Sequence, residues 1–140
     1  MTTSAQRIPE RCFLIDDDLD DQEIFFMALQ QFDEAIQCDF ANDGAKAIEI
    51  LKADTLNVPD CIFIDMNMPR MDGIDCLEQI KKMDHLRDIP VCMFSTSADP
   101  NLVARTKVLG AVNFIVKPAD ISVLSEMIGQ FFKLNVRGDG

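Results

Sequence analysis

Asp65 closes the apolar run Cys61-Ile62-Phe63-Ile64 and opens the loop Asp65-Met66-Asn67-Met68-Pro69-Arg70-Met71-Asp72-Gly73. A hydrophobic strand that delivers one carboxylate into a Pro- and Gly-punctuated loop places it at the carboxyl end of a buried strand, where open α/β sheets do their chemistry. Three other apolar runs end in reactive groups. Cys12-Phe13-Leu14-Ile15 leads into Asp16-Asp17-Asp18, Val91-Cys92-Met93-Phe94 into Ser95-Thr96, and Val112-Asn113-Phe114-Ile115-Val116 into Lys117-Pro118. If these strands are parallel neighbours, acids, a hydroxyl and an ammonium gather beside Asp65, which is an inventory for phosphoryl transfer.

Crowded carboxylates repel one another and are most simply stabilised by a hard dication. A ligand set of oxygens without His or Cys suits Mg²⁺ better than zinc. A carboxylate can attack phosphorus to form an aspartyl phosphate, splitting one difficult transfer into two easier ones. The remaining need is positioning and charge neutralisation, which a dication, a lysine and a hydroxyl supply. Each group also has a plainer role: Asp16 to Asp18 as acids at a helix N-terminus, Lys117 as an exposed strand-end lysine, and Ser95, Thr96, Ser97 or Asp99 as the cap of a following turn.

The elements that must position these groups alternate. Strands are expected at 11–15, 36–41, 60–64, 90–95 and 112–116, and helices at about 20–33, 44–53, 73–83, 99–109 and 119–133. Five strands alternating with five helices predict a three-layer parallel α/β sheet with right-handed crossovers. Asp43-Gly44 and Asp72-Gly73 read as helix entries and Gly110 as a helix stop. The fourth helix has the poorest apolar stripe, so it is expected to be the loosest packed and a natural moving part. Met66, Met68 and Met71 are expected to divide between loop packing and partner contact, since three apolar side chains crowd one short surface loop. His85, in Asp84-His85-Leu86-Arg87-Asp88, is expected in solvent.

The chain has 140 residues, the length of one domain, and no output domain is expected within it. With 13 Lys and Arg against 24 Asp and Glu, the net charge is −11, and nucleic acid would be repelled rather than bound. No 18-residue apolar run occurs and the first residues lack the apolar core of a signal peptide, so a cytoplasmic protein is expected, without membrane insertion. Five cysteines without CxxC spacing read as small buried hydrophobes in a reducing compartment. Residues 1–10 and 134–140 are expected as flexible tails around a domain at 11–133.

Taken together, the strand ending in Asp16-Asp17, the loop from Asp65 to Gly73, Ser95 after the fourth strand and Lys117-Pro118 after the fifth resemble the receiver domain of bacterial two-component response regulators, in its single-domain, chemotaxis-receiver form. The resemblance covers about residues 11–133 and implies the flavodoxin-like strand order 2-1-3-4-5. It implies that Asp65 accepts a phosphoryl group from a histidine kinase or histidine phosphotransfer protein. Asp17 and Asp65 would bind Mg²⁺ by side chain and Asn67 by its main-chain carbonyl, with Asp16 placing metal-bound water. Ser95 would hydrogen-bond the phosphoryl group, Lys117 would pair with it, and Phe114 would occupy the aromatic switch position. Pro69 and Gly73 shape the loop, and the Lys117–Pro118 bond is expected to be cis. A downstream protein would be met by the face of the fourth helix, fifth strand and fifth helix. Such a protein catalyses only its own phosphorylation and dephosphorylation. The other readings are a phospho-independent adaptor and a Mg²⁺-dependent aspartyl-phosphate phosphatase, the latter disfavoured because Asn67 stands where its second acid belongs.

Overall fold

The computed structural model describes residues 9–136, so residues 1–8 and 137–140 of the two expected tails lie outside the described residues. Five strands, β1 (Arg11–Ile15), β2 (Gln37–Ala41), β3 (Cys61–Asp65), β4 (Val91–Ser95) and β5 (Asn113–Val116), alternate with five helices. These are α1 (Leu19–Phe32), α2 (Gly44–Ala53), α3 (Gly73–Lys81), α4 (Pro100–Val108) and α5 (Ile121–Asn135). All strand pairs are parallel, in the order β2-β1-β3-β4-β5. The chain reverses its direction of growth between β1 and β3, and the ends of those two strands flank the switch point where such sheets bind ligands.

Each helix begins at the carboxyl edge of the sheet, and each is capped by an aspartate. Asp18 accepts the N–H groups of Asp20 and Asp21, Asp43 that of Lys46, Asp72 that of Asp75, Asp99 that of Asn101, and Asp120 those of Ser122 and Val123. An Asx oxygen at this position satisfies amide groups that the helix cannot, and its charge suits the positive end of the macrodipole. The caps explain the small shifts of helix starts from expectation: Asp99 and Asp120 stand outside the helices that they open. Gly110 ends α4 in the left-handed region, at φ 112°, which a Cβ disfavours.

Alternation along the strands divides the core in two. Phe13, Ile15, Ile62, Ile64, Val91 and Met93 face α2 and α3, with Leu51, Leu77 and Ile80 among their partners. Cys12, Leu14, Cys61, Phe63, Cys92 and Phe94 face α1 and α5. On that second face Phe63 sits amid four other rings, with centroids 4.9 Å from Phe25, 5.1 Å from Phe131, 5.5 Å from Phe94 and 6.2 Å from Phe132. Gly129 of α5 lets α1 pack this closely, since a Cβ there would stand 2.6 Å from the Phe32 ring. In contrast, α4 buries only Thr106.

Several expectations are corrected. Both core-side methionines of the loop, Met66 and Met68, are buried, and Met71 packs against the same cluster, because the loop folds down over the α2–α3 face instead of standing in solvent. His85 is half-buried, its Nε2 2.8 Å from the Leu51 carbonyl oxygen at the carboxyl end of α2. The folded part is longer than 11–133: Pro9 is buried, α5 continues to Asn135, and Val136 is buried while its N–H caps the helix on the Phe132 carbonyl. Val136 lies one turn beyond Phe132 and on the same apolar face, which carries the helix past the expected stop. The bond before Pro118 is not cis; no cis peptide occurs among the described residues. Trans is the lower-energy form even before proline, and Lys117 reaches its acidic partners with it.

Four of the five cysteines are buried and all five are free thiols. Burial pushes the Cys76 thiol up to about 12 and raises those of Cys38, Cys61 and Cys92 as well. Thiols held protonated in this way behave as small hydrophobes. No helix among the described residues is long and apolar enough to cross a membrane.

Candidate functional site

The pairing of β1 with β3 and of β3 with β4 aligns Ile15 with Ile64 and Asp65 with Phe94. Residues that leave these strands therefore emerge together at the carboxyl edge. Asp65 is only 5% exposed and Asp16 only 1% exposed, while Asp17 is open to solvent. One carboxylate oxygen from each of Asp16, Asp17 and Asp65 lies within 4.8 Å of the others.

Lys117 crosses the edge from the end of β5 into this acidic group. Its Nζ lies 2.9 Å from Asp21 Oδ2, 3.2 Å from Asp16 Oδ2 and 3.5 Å from Asp65 Oδ1. The main chain helps to aim it, since the Lys117 N–H donates to the Ser95 carbonyl at 2.8 Å. Burial lowers the affinity of the ammonium for its proton, but the hydrogen bond to Asp21 and the charges of Asp16 and Asp65 outweigh it, so the pKa is raised and the charge is secure.

Asp16 and Asp65 both hold a proton more readily than an ordinary exposed carboxylate. Burial pushes Asp16 up to about 6, against the lowering effects of the Asp18 N–H and of Lys117. Burial also raises Asp65, opposed first by the Lys117 charge and then by the Asn67 N–H, which donates to Asp65 Oδ1 at 3.3 Å. Two adjacent carboxylates that resist ionisation mark a place where a further cation is favoured. Three carboxylates with no nitrogen or sulfur ligand fit a small hard dication such as Mg²⁺.

The loop after Asp65 is shaped by close packing. A Cβ on Gly73 would stand 2.6 Å from the Asp65 carbonyl oxygen and 2.8 Å from Met66 Cα, so only glycine lets α3 begin here. The Gly73 N–H donates to the Met66 carbonyl, and the Met66 N–H to that of Phe94 on β4. Between them, the Met71 N–H donates to the Pro69 carbonyl at 2.8 Å around Arg70, whose φ is +68°. This positive-φ γ-turn is rare and strained in a residue other than glycine.

Of the residues singled out in the sequence, Asp16, Asp17, Asp65, Asn67 and Lys117 are gathered here, with Gly73 supporting the loop. Ser95 ends β4 at 4% exposure, its Oγ accepting the Ser97 N–H at 3.3 Å. Phe114 lies half-buried on β5, paired with Met93, and packs against the α2–α3 core, away from the acids. Asp18 is committed to capping α1, so the third consecutive acid is structural. Asp21 is a site contact that sequence reasoning did not single out. Its signal was present: it stands in the first turn of the helix that starts at this edge.

A model of the response regulator receiver domain matches residues 12–129, most of the chain. The chain belongs to this family. The receiver is 38% identical over 95 residues to the chemotaxis protein CheY of Treponema pallidum, covering 68% of this chain and 64% of that protein, and so spans just under two thirds of it. It is 29% identical over 127 residues to the two-component response regulator ORR3 of Oryza sativa subsp. indica, covering 89% of this chain and 94% of that one. The structure of the phosphorylated cyanobacterial phytochrome response regulator RcpA superposes on the receiver with a TM-score of 0.79 at 27% identity, covering 89% of this chain and 94% of that one. Receiver domains generally bind Mg²⁺ at an acidic pocket, and the carboxylates of Asp16, Asp17 and Asp65 form such a cluster here.

Proposed function

We propose that the receiver accepts a phosphoryl group on Asp65 from a histidine kinase or histidine phosphotransfer protein and signals through a phosphorylation-dependent change in protein binding. One observation carries this reading: the Asp65 carboxylate, buried at the end of β3, contacts the Lys117 ammonium and lies within metal-binding reach of Asp16 and Asp17. Its similarity to RcpA, whose structure is of a phosphorylated form, agrees.

Asp65 supplies the electron pair that forms the new P–O bond, while the bond from phosphorus to the donor breaks and its electrons leave with the imidazole or carboxylate leaving group. Lys117 opposes the effect of burial on Asp65 by favouring its ionised form, and then pairs with the incoming oxygens. Asp16, Asp17, Asp65 and the Asn67 main-chain carbonyl would hold a Mg²⁺ ion, which offsets the charge on the transferred group. Ser95 Oγ donates to a phosphoryl oxygen, for which its hydroxyl must leave its resting orientation. The pull on the ends of β4 and β5 draws Phe114 inward and shifts α4, altering the face of α4, β5 and α5 offered to a downstream protein. The receiver catalyses only its own phosphorylation and dephosphorylation.

Incubation with acetyl phosphate and Mg²⁺ tests the assignment. Intact-mass analysis should find one phosphoryl group, stable in acid and labile in base, on the wild type and none on Asp65→Asn. Equal labelling of both proteins rejects Asp65 as the acceptor. The stabilising effect of Mg²⁺ on thermal melting should likewise be lost in Asp17→Ala.

A further inference from the structure

The tightest contact of the Lys117 ammonium is neither with Asp65 nor with the buried Asp16. It is with Asp21, at 2.9 Å, in the first turn of α1. Asp21 is held there by its own backbone, whose N–H donates to Asp18 Oδ1 at 3.2 Å.

We propose that Asp21 is a positioning residue of the phosphorylation site, holding the Lys117 ammonium against α1 in the resting state and releasing it when a phosphoryl group arrives on Asp65. The inference rests on phosphoryl acceptance by Asp65. An ammonium has three N–H donors, and in the resting protein it has three carboxylate partners. A phosphoryl group brings oxygens carrying about −1.5 to −2 charges and competes for those donors, so one present partner must give way. Asp16 is sealed from water, so no solvent can take the place of the ammonium there. Asp21 is 36% exposed at its side chain and can take water in place of the ammonium. It is therefore the partner most easily given up.

Two consequences follow from the same geometry. Asp21 opposes the phosphorylated state, because it both competes for the lysine and repels the new charge. It also ties β5 to α1, so that arrival of the phosphoryl group loosens the first turn of α1 as it draws Lys117 away.

Beryllofluoride, a phosphoryl mimic, separates these ideas when its half-saturating concentration is measured by ¹⁹F NMR at saturating Mg²⁺. Asp21→Asn is expected to bind it about two- to fivefold more tightly than wild type, the range spanned by partly exposed ion pairs. Asp20→Asn removes the same charge from the same turn without touching Lys117, and should match wild type. Asp21→Glu keeps a carboxylate and should fall between wild type and Asp21→Asn. Unchanged affinity in Asp21→Asn, or an equal gain in Asp20→Asn, overturns the proposal. Asp21→Ala, also expected to bind more tightly, guards against an effect peculiar to asparagine. If wild type shows no Mg²⁺-dependent binding, or Lys117→Ala binds as well as wild type, the reading of Asp65 itself fails and the inference goes with it.

Discussion

The two ends of the sheet edge that meet at Asp65 are built differently. On the α1–α5 face four phenylalanines interlock around Phe63, and Gly129 allows Phe32 to press onto α5. Toward β5, α4 buries little besides Thr106, and Phe114 is only half-covered. The acids Asp16, Asp17 and Asp21 belong to the first region, whereas Ser95 and Lys117 extend from strands bordering the second. The proposed function calls for both kinds of support, with metal ligands that stay in place and phosphoryl-sensing groups that move. Elements with few buried apolar contacts are the ones with low local stability.

The sharpest test of this contrast is by truncation. Phe63→Ala should cost about 3–5 kcal/mol in denaturant unfolding, as other large-to-small changes at aromatic core positions do. Leu102→Ala, at the partly buried seam of α4, should cost well under half as much. Comparable losses would remove the distinction between a stiff and a loose region.

A smaller effect should come from filling the α1–α5 seam. Gly129→Ala places a methyl group where the Phe32 ring stands, and overpacking of this kind costs about 1–3 kcal/mol. A neutral outcome would mean that α1 and α5 yield as readily as α4.

The electrostatics of the stiff side give a pH signature in the absence of divalent cations. The Asp16 carboxyl has its pKa raised from 3.8 to about 6, so between those values the folded state holds a proton that the unfolded state lacks. Stability from this group therefore increases as pH falls through 6 and levels off below 3.8. In Asp16→Asn that increase should vanish, while the protein gains stability at pH 7.5, as read by thermal melts across the range.

The smallest expected change is local. Arg70→Gly removes a positive-φ side chain from the γ-turn and should stabilise the fold by about 1 kcal/mol, the scale of such backbone strain. A loss of stability would mean that the Arg70 side chain contributes more than its backbone costs.

The strands and their ends were legible because apolar runs that stop at Asp16, Asp65, Ser95 and Lys117 carry period, length and chemistry together. The helices were legible to within a turn, and their limits differ where a single Asp cap or a last apolar residue such as Val136 decides. Asp21 was hidden because its role depends on where α1 crosses the edge, a tertiary fact with no local pattern. Met66, Met68 and Met71 misled for a related reason: a loop that folds back over a core face buries side chains that a loop in solvent would expose. His85, in the connection after α3, finds its partner in Leu51 of α2, a contact between segments distant in sequence.

The most direct measurement is hydrogen exchange on protein treated with acetyl phosphate and Mg²⁺, with Asp65→Asn treated identically. In the wild type, exchange should change across residues 95–117, including α4, as well as at the loops bearing Asp17 and Asp65, while the Phe-packed cores of α1 and α5 stay as they were. Identical behaviour of wild type and Asp65→Asn, or changes confined to the loops around Asp17 and Asp65, would contradict an acceptor on the stiff side that moves the loose one.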